Sequence, residues 1–322
     1  MNSNNFRTEY HPKSSSMQIR HESNLLTVGS CFSDNVGQKL LDSKFSVQLN
    51  PFGTVYNPIS IFDLLLSREV DAEKFVEVGG QYFHLDYHSQ FTSRDKGTLK
   101  TVLELKKKEI TAYLSTADFV FITLGTAFVY ERKSTAEVVA NCHKLPQKNF
   151  TKRLLTIEEM ISSFQQLKSY LNTVNPSLQF IFTVSPVRHI KDGIVENQLS
   201  KSLLRVLCHE LTRDEKIEYF PAYEMMMDDL RDYRFYKNDM IHPTEMAEDY
   251  IWNKFQQTYF SDQTQKIVKE WDKVRVALAH RPFNPDSESH QKFISDQLKK
   301  LDVFSEYFSI TEEKRVFENQ LR

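Results

Sequence analysis

Apolar residues along this chain gather in short blocks separated by longer, half-polar stretches. Five blocks rich in β-branched and aromatic residues, 25–28, 45–49, 119–124, 179–184 and 217–220, read as buried strands. Helical stretches lie between them, and two have marked starts. Asn57-Pro58 ahead of ISIFDLLL sets an Asn cap before Pro at the first helical position, and Thr156-Ile-Glu-Glu159 ahead of MISSFQQLKSYL is a capping box. Strands alternating with helices predict crossover connections, hence an α/β fold with a parallel sheet between helical layers. From Ser261 the pattern becomes charged and helical: KIVKEWDKVRVALAH, the break RPFNPDSES, then HQKFISDQLKKLDVF, with no strand. The expected organisation is a polar N-terminal segment over 1–24, an α/β domain over 25–260 and a helical C-terminal extension over 261–322.

Charge narrows the partners. The 41 lysines and arginines nearly balance 43 aspartates and glutamates, so no excess positive field draws phosphate backbones, and nucleic acid is not an expected partner. No apolar run approaches the roughly 20 residues that span a bilayer, so no membrane partner is expected either. The first 24 residues offer no apolar core for a signal peptide. Three cysteines, Cys31, Cys142 and Cys208, are too few for a disulfide framework and none stands in a Cys-x-x-Cys pair. A soluble cytoplasmic protein follows as the expectation. With only 8 glycines and neither G-x-G-x-x-G nor a phosphate-binding loop, the sequence gives no support for a nucleotide cofactor, and none is expected.

Ligands of open α/β sheets bind beyond the carboxyl ends of the strands. The segments there are Gly29-Ser-Cys-Phe32, Pro51-Phe-Gly-Thr54, Gly125-Thr-Ala-Phe128, Ser185-Pro-Val-Arg-His189, and a stretch leading to Asp239-Met-Ile-His242-Pro243. Asp239 three residues before His242 suits a carboxylate that fixes the tautomer of a base during proton transfer. Alone the pair is a common coincidence; together with Gly-Ser-Cys at the end of the first strand it reads as a reaction centre. Cys31 would lie at a helix N-terminus, where a thiol is depressed in pKa and nucleophilic, although a small buried side chain is the commoner fate of a free cysteine. Arg188 and His189 are candidates for holding an anionic or hydroxylated substrate, with Asp192 as an alternative partner for Arg188. Cys142 and His143, adjacent in the chain and so rarely aimed at one another, are both candidate site-lining residues. His84 and His88 stand four apart, but the interleaved Tyr82, Phe83, Leu85 and Tyr87 read as strand or loop rather than a helical metal pair, so no metal site is expected.

The segments GSCF, NPFGTVYNP, TLGTAFVY, NCHK, SPVRH and DYRFYKNDMIHP resemble the GSCFA family, placed in the SGNH (GDSL-like) hydrolase superfamily; the resemblance runs from about residue 25 to about 258. It implies a three-layer α/β/α fold of flavodoxin type and ester hydrolysis by a nucleophile–His–Asp set. Counted from Gly29, the superfamily's nucleophile position falls on Cys31, with Ser30 in the slot of its aspartate. Gly53 matches the glycine whose amide helps bind the oxyanion. The Asn of the third motif is missing after Gly125, and Asn141 is a candidate substitute. Asp239 and His242 match the final Asp-x-x-His. The resemblance thus implies a hydrolase of an acyl or acetyl ester, of a glycan or a small metabolite. An acyltransferase using the same site, and a non-catalytic ligand-binding protein on a degenerate fold, are the alternatives; the oligomeric state stays open.

Overall fold

The computed structural model describes residues 7–66 and 68–321. Its strands are β1 Asn24–Gly29, β2 Ser46–Leu49, β3 Phe75–Val78, β4 Gln81–His84, β5 Phe119–Leu124, β6 Phe128–Arg132, β7 Glu137–Val139, β8 Phe150–Leu154, β9 Gln179–Val184 and β10 Ile217–Tyr219. Its helices are α1 Cys31–Asp42, α2 Pro58–Leu65, α3 Lys96–Leu114, α4 Ile157–Val174, α5 Ile194–Leu211, the short α6 Ala222–Glu224, α7 Glu245–Tyr259, α8 Asp262–Ala279, α9 Glu288–Leu301 and α10 Thr311–Glu318.

All five expected strands are present and form one sheet in the order β10-β9-β5-β1-β2, with β1–β5, β5–β9 and β9–β10 parallel. Taken by chain order within the sheet, this is the 2-1-3-4-5 arrangement of doubly wound flavodoxin-like folds, whose switch point lies between the first and third strands, here β1 and β5. Every residue of β5 is buried, as are five of the six in β1 and in β9, which explains why these strands read as unbroken apolar runs. The flanking helices cover the sheet with apolar faces: Phe164 of α4 meets Phe62 of α2 and Phe180 and Phe182 of β9 edge-on, at centroid distances of 5.3, 5.5 and 5.2 Å. Both marked helix starts hold. Asn57 Oδ1 accepts from the Ser60 amide at 2.9 Å, and Thr156 and Glu159 exchange the two bonds of the capping box.

Two small antiparallel sheets are additions to the five expected strands. β3 and β4 form a hairpin closed by Gly79-Gly80, both at positive φ as a tight two-residue turn requires, and β7-β6-β8 form a three-stranded sheet.

The chain divides into two compact units. The first takes residues up to His11, Asn24–Gln38 and Val47–Asn253, and contains the parallel sheet and its core. The second takes Pro12–Ser23, Lys39–Ser46 and Lys254 onward. Its centre is Trp271, Val274, Ile294, Leu301, Phe304, Ile310 and Phe317, with the Trp271 indole N–H donated to the Asp42 carbonyl at 2.9 Å. In the same unit Ile19 bridges Phe260, and His21 stacks on Phe45 at 4.4 Å. Among the described residues, no helix is long and apolar enough to cross a membrane.

Candidate functional site

The switch point is built around Gly29. Its φ of +129° and the Thr123 carbonyl oxygen, which would stand 2.1 Å from an added Cβ, admit only glycine. Asn50, just past β2, clamps this residue: its Oδ1 accepts the Gly29 amide at 3.1 Å, and its Nδ2 donates to the Gly29 carbonyl at 3.3 Å and to Asp34 at 3.0 Å. The chain then turns straight into α1. Ser30 donates its amide to Thr123 O at 3.0 Å, and its wholly buried hydroxyl has no partner among the described residues. Cys31 is the first residue of α1 and is partly exposed.

The Cys31 thiol is raised rather than depressed at this helix start, contrary to expectation. Burial, then the Asp34 carboxylate one turn on, push its pKa up, and they outweigh its own backbone amide and Lys201, which pull it down.

Asp239 and His242 do come together. Asp239 Oδ2 meets His242 Nδ1 at 2.7 Å, while Oδ1 accepts the amides of Ile241 at 2.8 Å and His242 at 3.0 Å. These bonds hold the carboxyl well below the usual carboxylate range, backbone donation from His242 first. Winding the loop over its own carboxylate leaves Met240 at φ +57°. Nδ1 is thereby engaged, and among the described residues Nε2, on a side chain 42% exposed, carries no hydrogen bond. No hydrogen bond among the described residues joins His242 to Ser30 or Cys31.

Arg188 is held to this loop. Its amide donates to Ile241 O at 3.2 Å, its guanidinium to Met240 O at 3.1 Å, and it lies 5.5 Å from the Tyr236 ring centre. Asp192 instead pairs with Lys152. Arg188 also lines a cavity of about 230 Å³ with Met226, Met227, Leu230, Tyr233 and Tyr236. His189 stands edge-on to Tyr56 at 5.1 Å, and its buried Nε2 has no hydrogen-bond partner among the described residues and lies 3.2 Å from where a Cβ on Gly125 would sit. Burial first, then the Lys201 charge, lower its pKa to about 4, so the ring is neutral at pH 7.

Four expected site residues are engaged elsewhere. The Gly53 amide is donated to Asn50 O at 2.8 Å, which closes a turn at φ +72° and removes it as an oxyanion donor in this geometry. His143 is buried: its Nε2 contacts the His84 carbonyl at 2.8 Å and its ring stacks on Phe83 at 4.8 Å, a packing role beside the small sheets. Asn141 Oδ1 caps the His143 amide at 2.9 Å, so its carbonyl serves this turn. Cys142 packs on the Leu85–Val139–Phe150 cluster, and burial pushes its thiol up to about 11.

The residues missed from sequence lie on α5. Asn197, Ser200 and Lys201 occupy the same buried face as Leu204, Leu207, Cys208 and Leu211. Asn197 Oδ1 accepts the His189 amide at 2.8 Å, Ser200 Oγ accepts the Ala127 amide at 2.7 Å, and Lys201 Nζ donates to Ser185 O at 2.8 Å. The signal was available: polar residues at i, i+3 and i+4 in register with an apolar stripe belong to a buried face.

The GSCFA family model matches residues 24–255, and the model described as the GSCFA domain protein, C-terminal domain, matches residues 271–322. No curated protein sequence matches the chain. Among solved structures, a protein described as a GDSL-like lipase from Parabacteroides merdae is 11% identical, with a TM-score of 0.38 over 79% of this chain and 100% of that one. A family two carbohydrate esterase from Clostridium thermocellum, in complex with cellohexaose, is 10% identical, with a TM-score of 0.37 over 79% of this chain and 66% of that one. An acetyl xylan esterase from Butyrivibrio proteoclasticus is 10% identical, with a TM-score of 0.34 over 81% and 66%.

Proposed function

The chain belongs to the GSCFA family, and from that premise we propose that it hydrolyses ester bonds through a nucleophile–His–Asp set, on an acyl or acetyl ester of a glycan or small metabolite. The observation that carries the reading is the 2.7 Å Asp239–His242 pair, which fixes Nδ1 and leaves Nε2 as the free basic nitrogen. In this mechanism His242 Nε2 removes the proton from Cys31, or from Ser30, as that side chain attacks the ester carbonyl. The resulting imidazolium, steadied by Asp239, returns the proton to the leaving alkoxide. Water, activated by the same nitrogen, then releases the acid. The Cys31 amide, at the start of α1 where backbone N–H groups lack helical partners, supports oxyanion binding. An acyltransferase runs the same steps with an alcohol in place of water.

One observation favours a second reading, a ligand-binding protein without turnover: His242 has no bond to either candidate nucleophile. A panel of short-chain and sugar acyl esters separates the two. Turnover abolished by His242→Ala supports the hydrolase; binding of an ester that never turns over supports the binding protein.

A further inference from the structure

We propose that Lys201 is the buried cation that sets the ionisation of Cys31, a positioning role that rests on Cys31 being the nucleophile. A lysine 1% exposed on the buried face of α5, one position from Ser200 and one turn from Leu204, is expensive to bury and calls for a partner. Its ammonium donates to Ser185 O at 2.8 Å and lies 5.7 Å from the Tyr223 ring centre. Among the described residues no second hydrogen bond takes its other protons.

The sheet register says what lies nearby. Gly29, Thr123 and Thr183 stand in one row across β1, β5 and β9, so Cys31, Gly125 and Ser185 are each two residues beyond it at the carboxyl edge. The outer two are separated by two strand spacings, roughly 10 Å, and the ammonium hangs from one side of that gap. Two buried polar atoms in the segments that follow β1 and β9, Ser30 Oγ and His189 Nε2, also lack hydrogen-bond partners among the described residues.

The charges facing this edge leave the thiol few other allies. Asp34 on α1 and Glu248 on α7 both oppose a thiolate, and Tyr56 and Tyr223 stay protonated as burial raises them. His189 is neutral at pH 7, and His242 acts on His189 as a like charge. Lys201 and Cys31 each act on the other, and burial lowers Lys201 to about 7, so its amine accepts a proton near neutrality. The effect is electrostatic: His242 takes the proton as the Cys31 S–H bond breaks, and the protonated Lys201, held on Ser185 O at the same edge, favours the thiolate that is left. Two such groups lose their protons as a pair, in two macroscopic steps.

The test follows Cys31 alkylation by iodoacetamide against pH, read by peptide mass spectrometry, and needs no ester substrate, so it fails independently of the hydrolase reading. Wild-type protein should show two steps, the lower near pH 7. Lys201→Met should keep only the upper one, with a rate at pH 7.5 lower by about tenfold or more, one pKa unit or more. Lys201→Arg, permanently charged, should show a single step below that of Lys201→Met. A folded Lys201→Met protein with the wild-type profile overturns the proposal. Should Lys201→Met not fold, the lysine ε-carbon NMR titration of wild type and Cys31→Ala decides: two steps for Lys201 collapsing to one supports it, and an unchanged titration overturns it.

Discussion

The Asp239–His242 loop and the Ser30–Cys31 turn are opposites. The first is exposed, local in sequence and already hydrogen-bonded: one carboxylate accepts three bonds within four residues. The second is largely buried, assembled from β1, β2 and β5 and clamped by Asn50, with a hydroxyl that has no partner among the described residues and a thiol raised by burial. An exposed loop can hold a base in one tautomer cheaply, because water screens its charges. A buried turn fixes a nucleophile in space but penalises its ionised form, which is why a buried cation matters on that side and not on the other.

The largest effect that would break this contrast is kinetic. His242→Ala is expected to reduce ester turnover by roughly 10³-fold or more while thermal unfolding stays close to wild type, because the side chain is exposed. Asp239→Asn should reduce kcat by a similar order with little change in KM, since the carboxylate acts on the histidine. A folded Asp239→Asn protein with wild-type turnover removes the aspartate from the mechanism.

Damage at the buried turn should appear in stability instead. Gly29→Ala drives a methyl into the Thr123 carbonyl at a φ of +129°, and a loss of about 4 kcal/mol or more is expected from denaturant unfolding. Asn50→Ala strands the Gly29 amide and carbonyl, and a loss of about 2–3 kcal/mol should follow. If either variant unfolds like wild type, the turn is not the rigid member of the pair.

A pH effect comes next. His189 titrates near 4 in the folded chain against about 6.5 unfolded, so between these values the unfolded chain holds a proton that the folded chain lacks. Stability is therefore lost as pH falls from 6.5 to 4, by about 3 kcal/mol from this group, and His189→Phe should flatten that part of the profile. His84, also near 4 through burial, supplies a second drop that His189→Phe leaves intact.

The smallest effect sharpens the choice of nucleophile. Cys31 should be alkylated several-fold faster than Cys142, whose thiol is pushed up to about 11, and than the fully buried Cys208. Labelling of Ser30 by an acyl-type serine probe while Cys31 stays inert would reverse the assignment.

The sequence by itself determined the elements whose signals are local. Five strands, two capped helix starts, the parallel α/β class and the Asp239–His242 pair all follow from residues adjacent in the chain, and each is present. The β3–β4 hairpin had an equally local sign in Gly79-Gly80 between alternating residues, and it was not read. What tertiary structure alone decided is burial and who meets whom across long separations. Gly53 offers the same tripeptide whether its amide is free or spent on Asn50, and His143 reads the same whether it lines a cleft or packs on Phe83. Cys31 reads as an activated thiol until the folded core withdraws it from water, because desolvation depends on every element packed around it. Lys201, written 170 residues after Cys31, is held on Ser185 at the same carboxyl edge only because β5 lies between β1 and β9, a strand order that no stretch of neighbouring residues encodes.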